Sequence, residues 1–218
     1  MSSEQRNKKF FIRAVALTGI VMTLAFSFFL MFHTFSYDPR ARTMLISSKL
    51  WSDFGAHIPL IRSFSYGPNL SRLTSGQPVQ SPLFPGEPVR YHYGFYALVG
   101  ILEKVGIRID WAVNIPSAIG FFALILGIWF VSMGMFGSHT VSVLSILFFL
   151  CNGSLSFIRY FTDHPLNRHT ISDIITNSRF TSFGPWDGNA ISAFWTLNIY
   201  TNQRHLALSY AIVLALVA

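Results

Sequence analysis

The sequence predicts an all-α protein, a polytopic transmembrane helical bundle with juxtamembrane helices in a long first extracytoplasmic loop. Three observations predict it. Charged residues are 11% of the chain and apolar ones 51%, with 22 phenylalanines, whereas about a quarter of a soluble domain is charged. The stretch from Ala14 to Phe32 carries no charge and is long enough for the ~30 Å hydrocarbon core of a bilayer at about 1.5 Å per residue. Further apolar runs recur along the whole length, so residues 1–218 read as a single membrane domain.

The first span is predicted over about 10–32. A basic flank (Arg6, Lys8, Lys9, Arg13) precedes it. The apolar run is too long for a cleaved signal sequence and no small-x-small site follows, so the span stays and its flank puts the N-terminus in the cytoplasm. A mixed segment, 33–110, follows with eight of the sixteen Lys and Arg residues. Within it, Leu50, Phe54, Ile58 and Ile61 recur at helical spacing and predict an amphipathic helix over 46–66. The Pro-, Gly- and Ser-rich stretch 67–88 reads as an irregular loop.

Residues 91–107 are apolar but few, with Glu103 and Lys104 near their end. A short re-entrant or interfacial helix here would leave both polar loops outside; a full crossing would put them on opposite faces. The shorter reading is preferred, because a charged 17-residue stretch is a marginal span. Further spans are predicted over about 115–136 and 140–157, the latter weakened by Asn152-Gly153. A second polar loop, 159–204, leads into an incomplete span at 206–218. Because these thirteen residues are too few to cross a bilayer, the chain is expected to be the N-terminal part of a longer one.

Composition also excludes functions. No basic run exceeds Lys8-Lys9, and a nucleic-acid surface needs a patterned basic face. The net charge of +7 suits anionic lipid or a phosphate-bearing substrate. Cys151 has no second cysteine to pair with.

Residues able to carry chemistry cluster in the two polar loops. Asp53 and His57 lie one helical turn apart, about 6 Å between Cβ atoms. The pair can act as a general base with an orienting or phosphate-holding imidazole, or be only a solvated helix face. In Arg90-Tyr91-His92-Tyr93, Arg90 and His92 can bind an anionic head group, or the tyrosines can merely anchor the interface. Asn202-Gln203-Arg204-His205 stands before the last apolar run. There Arg204 and His205 suit a phosphate at head-group level, unless Arg204 only snorkels. Asp163, His164, Asp173 and Asp187 read individually as turn residues. No HExxH, CxxC or DxD pattern predicts a metal centre; no cofactor is assigned, and a divalent cation stays open.

The ordered set resembles a known group. A juxtamembrane Ser52-Asp53-Phe54-Gly55-Ala56-His57, the Pro-containing aromatic stretch 88–102, Asn114-Ile115-Pro116-Ser117-Ala118 opening a span, and the Arg204-bearing start of a further span are together similar to the N-terminal portion of GT-C superfamily membrane glycosyltransferases. That group includes the protein O-mannosyltransferases and the lipid A aminoarabinose transferase. The chain departs from the pattern in lacking an acidic dipeptide at Asp53, in its long 159–204 loop, and in lacking the C-terminal spans.

The resemblance implies an integral protein of the cell membrane that moves a sugar from a polyprenyl-phosphate carrier to an acceptor hydroxyl on a glycan, lipid or protein at the outer face. Asp53 would be the catalytic base, and His57, Arg90, His92, Arg204 and His205 the substrate-binding set. The partners implied are the bilayer, the lipid-linked donor and the acceptor. The rival reading is a multi-span transporter or flippase-like protein without transfer chemistry. It needs charges in mid-span, and the three complete apolar runs contain no acidic residue.

Overall fold

The uncharged N-terminal run extends one helix, α1 (Ser3–Thr34), in a computed structural model that describes residues 3–47, 50–176, 192 and 194–217. The fold is mostly helical. Two helical segments are long and apolar enough to cross a membrane, Ala14–Thr34 of α1 and the whole of α5 (Ile109–Phe136). Both leave most of their apolar surface uncovered, as at Val15, Leu17, Met22, Ile119 and Phe130.

After α1 the chain makes an antiparallel ribbon, β1 (Phe35–Asp38) and β2 (Thr43–Ile46), with Phe35 opposite Ile46 and Asp38 opposite Thr43. Asp38 closes the turn by accepting from the backbone N–H groups of Arg40 and Ala41 at 2.8 and 3.3 Å, a local bond that short acidic side chains favour. The mostly helical expectation holds, and this ribbon is a small antiparallel element that it did not include. Its four-residue strands are too short to leave a period-2 signal in the sequence.

Helix α2 (Trp51–Ser65) follows the predicted amphipathic pattern. Leu50, Phe54, Ile61 and Phe64 are buried in one cluster with Phe35, Tyr96 and Val99, while Ile58 packs at its margin. Helix α4 (Gly94–Lys104) lies against α2. The two approach so closely that a Cβ at Gly100 would sit 2.5 Å from Phe64 Cβ and 2.9 Å from the Ile61 carbonyl oxygen. Glu103, buried on α4, clips them by pairing with Arg62 Nε at 2.9 Å and accepting from Ser65 Oγ at 2.6 Å. At 11 residues, α4 measures about 16 Å and is too short to cross a bilayer.

The stretch 67–88 is more ordered than predicted. It holds the short helix α3 (Asn69–Thr74) and a hairpin-like loop. Asn69, buried, donates to the Gln80 carbonyl and accepts from its N–H at 2.7 and 2.9 Å. Ser81 and Val89 N–H groups then bond to the Glu87 and Val79 carbonyls. A single buried amide thus fixes where residues 80–88 stand relative to α2.

In the first turn of helix α5 stands Asp110, whose carboxylate takes two bonds from Arg108 at 2.6 and 2.8 Å and one from Tyr37 N–H at 3.3 Å. The helix ends at Gly137, which adopts the left-handed φ of 60° usual for a helix stop. Ser138 then caps α6 (His139–Leu150). The predicted span at 140–157 is corrected here: α6 stops after 12 residues. Asn152 and Ser154 turn the chain instead, bonding backbone to backbone with Trp195 and Ser192. Short helices α7 (Phe157–Asp163) and α8 (Thr170–Thr176) follow. The chain then reaches α9 (Trp195–Asn202) and α10 (Arg204–Val217).

Helix α10 packs along α5. A Cβ at Gly120 would lie 2.9 Å from Leu208 Cβ and backbone N, and one at Gly127 3.0 Å from Leu214 Cβ. Around this contact Leu30, Met31, Phe121, Leu124, Leu197, Tyr200 and Ala207 form a second buried cluster.

Candidate active site

Asp53 stands in the first turn of α2 and lines a cavity of about 610 Å³ together with His57, Glu87, Arg90, Tyr91 and Gln203. One wall comes from α2, where Asp53, Ala56, His57 and Leu60 follow each other at helical spacing. The facing wall is the loop pinned by Asn69, with Ser81, Pro82, Leu83 and Phe84. Leu83 and Phe84 are well exposed at its tip. Gln203 enters from the corner between α9 and α10. Both walls of the cavity mix polar and apolar groups: Asp53 and His57 with Ala56 and Leu60 on α2, and Ser81, Glu87 and Arg90 with Pro82, Leu83 and Phe84 on the loop.

Asp53 Oδ2 accepts a hydrogen bond from Gln203 Nε2 at 2.8 Å. Gln203 Oε1 in turn accepts from Tyr91 Oη at 3.3 Å. His57 is 7% exposed, and its ring lies 4.9 Å from that of Tyr96. Burial holds its pKa down to about 4, partly opposed by the Asp53 charge and reinforced by His92 and Arg204. His57 is thus a neutral imidazole at neutral pH. A neutral imidazole can still offer one N–H to a ligand. Its Nδ1 is buried without a hydrogen-bond partner among the described residues.

The other expected site residues divide. Arg90 lines the cavity and is exposed. His92 does not line it but stacks behind Tyr91, its ring 3.7 Å from the tyrosine and 3.9 Å from that of His205. His205 is buried, with Nδ1 3.1 Å from Tyr96 Oη.

Arg204 departs furthest from its expected role. It is 1% exposed and its guanidinium points away from the cavity into the helix junction. Nε donates to the Thr201 carbonyl at 2.7 Å. NH1 meets Asn114 Oδ1 at 3.1 Å and Met31 Sδ at 2.8 Å. NH2 meets Thr34 Oγ1 at 2.8 Å and the Met31 carbonyl at 3.4 Å. The ring of Phe54 lies 5.5 Å from the guanidinium carbon. Among the described residues no carboxylate pairs with it. A guanidinium has five N–H donors, and this one spends them on α1, α5 and α9, so none faces a ligand.

No family model, curated protein or solved structure matches this chain. Among the described residues no group of three His, Cys, Asp or Glu side chains is placed to hold a metal ion. Asp163 pairs with Arg159 on α7 at 3.7 Å, and His164 bonds back to the Tyr160 carbonyl; both are local to that helix, away from the main cavity. Asp173 lines a small cavity of about 150 Å³ with His164. Asp187 lies outside the described residues.

Sequence reasoning passed over Gln203, Glu87 and the tyrosine role of Tyr91. Gln203 carries no signal of its own, since a neutral amide before a basic residue is common at helix ends. Glu87 and Tyr91 were visible only as parts of a turn and an interfacial anchor.

Proposed function

We propose that this chain carries the donor and acceptor site of a membrane glycosyltransferase that moves a sugar from a polyprenyl-phosphate carrier to an acceptor hydroxyl. The observation that carries this reading is the partly exposed Asp53 carboxylate in the wall of a cavity that also presents Arg90 and an apolar lip of Pro82, Leu83 and Phe84. The resemblance of the ordered motifs to GT-C glycosyltransferases supports it, as do the two helices long enough to span a bilayer. In this reading α1, α5 and helices beyond them form a polytopic bundle in the cell membrane. The N-terminus lies in the cytoplasm, and both polar loops lie on the outer face.

In the reaction, the acceptor oxygen attacks the anomeric carbon while its proton passes to Asp53. The bond from that carbon to the phosphate oxygen breaks, and the polyprenyl phosphate leaves with the electron pair. Arg90, the lining arginine, stands where it can offset charge on the leaving phosphate. The apolar lip of Pro82, Leu83 and Phe84 suits the first units of the isoprenoid chain. No nucleotide takes part. The transporter alternative draws no support from Arg204, whose donors are consumed within the protein.

The test is sugar transfer from a radiolabelled polyprenyl-phosphate sugar by full-length protein in liposomes. Asp53→Asn should lower turnover by roughly 10²- to 10⁴-fold, the usual contribution of a positioned base, with expression and melting temperature retained. Wild-type turnover in Asp53→Asn would remove Asp53 as the base.

A further inference from the structure

We propose that Gln203 is the positioning residue for Asp53, with Tyr91 fixing the direction of its amide and Arg204 locking the corner from which it reaches. The kinetic part of this inference rests on the transferase reading; the contact itself does not.

A carboxylate accepts hydrogen bonds only, so the 2.8 Å approach of Gln203 to Asp53 Oδ2 requires the amide nitrogen on that side. The amide oxygen then faces Tyr91 Oη, which must donate. The three side chains form a one-way chain from tyrosine hydroxyl through amide to carboxylate. They come from three separate parts of the fold, residues 91, 203 and 53, which only tertiary packing brings together.

The corner that presents Gln203 is held on every side. Its N–H donates to the Ile199 carbonyl at 2.7 Å, and its own carbonyl accepts from Leu206 N–H at 3.0 Å. The next residue, Arg204, is bonded into α1, α5 and α9. Gly120 then lets α10 lie directly on α5. A side chain projecting from so fixed a backbone has little freedom left, which is what holding a catalytic carboxylate demands. The buried, fully bonded Arg204 thereby acquires a purpose that phosphate binding does not give it.

The experiment compares Gln203→Glu, Gln203→Leu, Tyr91→Phe and Asp53→Asn, alone and as the Asp53→Asn/Gln203→Leu pair, in the full chain. Gln203→Glu keeps shape but replaces the donor with a carboxylate facing a carboxylate. Both Gln203 variants should lower kcat by about ten- to a hundredfold, the scale of an ångström-size misplacement, with the donor KM nearly unchanged. Tyr91→Phe should lower kcat less than either. The paired variant should be no slower than Asp53→Asn alone, as for residues acting as one unit. A kcat retained in both Gln203 variants, a rise in KM alone, or multiplying losses in the pair would overturn the proposal.

Melting temperatures of the same set in detergent give a second, turnover-free reading. With Asp53→Ala, which removes the acceptor, added to the set, a real contact makes the Asp53→Ala and Gln203→Leu shifts non-additive, and additive shifts reject it. If the intact protein transfers no sugar, the transferase reading fails by itself, while this thermal cycle still decides whether Gln203 holds Asp53.

Discussion

Asp53 and Arg204 are ions set close together by the Gln203 corner, yet the fold treats them in opposite ways. The aspartate is partly exposed at a cavity wall, held by one hydrogen bond from the Gln203 amide. The arginine is 1% exposed and bonded on all three nitrogens to groups from three helices. The first arrangement leaves a charge available to something that enters the cavity. The second spends a charge on holding helices together, because an unsatisfied buried guanidinium would be costly. Saturation of hydrogen bonds, more than residue type, separates the ion left facing a cavity from the one committed to the fold.

The contrast can be broken most directly at Arg204. Arg204→Ala should destabilise the protein by roughly 3–5 kcal/mol, the cost of dismantling a buried charged network, read as a fall in melting temperature. Arg204→Lys should recover little of it, since one ammonium cannot reach all the partners of a planar fork. A variant at Arg204 that melts normally and loses only donor affinity would return this residue to phosphate binding and erase the distinction.

A smaller effect is expected at the α5–α10 contact. Gly120→Val introduces a side chain where the Leu208 backbone nitrogen stands 2.9 Å from even the first carbon. Overpacking of this kind costs about 1–3 kcal/mol. Because the same contact seats the Gln203 corner, the comparison sharpens if turnover falls further than the stability loss explains. Unchanged turnover would detach the corner from the site.

A pH-dependent effect concerns His57. Its pKa falls from 6.5 to about 4 through burial, so the unfolded chain binds a proton in a range where the folded one does not. The neutral imidazole's contribution to stability is therefore complete above about pH 6.5. It is lost as pH falls from there toward 4. Melting temperature should decline across that window in the native protein and decline less in His57→Gln. Equal declines would place the acid sensitivity elsewhere and leave His57 out of the site's electrostatics.

Much of the architecture was legible because hydrophobic period and length are local properties. The uncharged run at 14–32 gave α1, and Leu50, Phe54 and Ile61 gave the buried face of α2. The shortness of 91–107 matched the 11 residues of α4. The third apolar run is longer than its helix, since α6 stops at Leu150 and backbone bonds of Asn152 and Ser154 with residues 195 and 192 hold the turn that follows. The ribbon at 35–46 was hidden by strands of four residues.

Of the site, Asp53, His57 and Arg90 could be picked from the chain, because carboxylate, imidazole and guanidinium in polar loops near apolar runs are few enough to stand out. Their meeting in one cavity could not. It depends on Asn69 reaching Gln80 to set the far wall, and on a glycine contact that brings residue 203 to residue 53, about 150 positions apart in the chain.

Residue chemistry and spacing alone determined that this chain would be helical and apolar, and which charges were worth suspecting. Which charge would face a cavity and which would vanish into a junction was decided only in three dimensions. An ion's role follows from the partners left to it after packing, and those partners come from distant segments that no local pattern encodes.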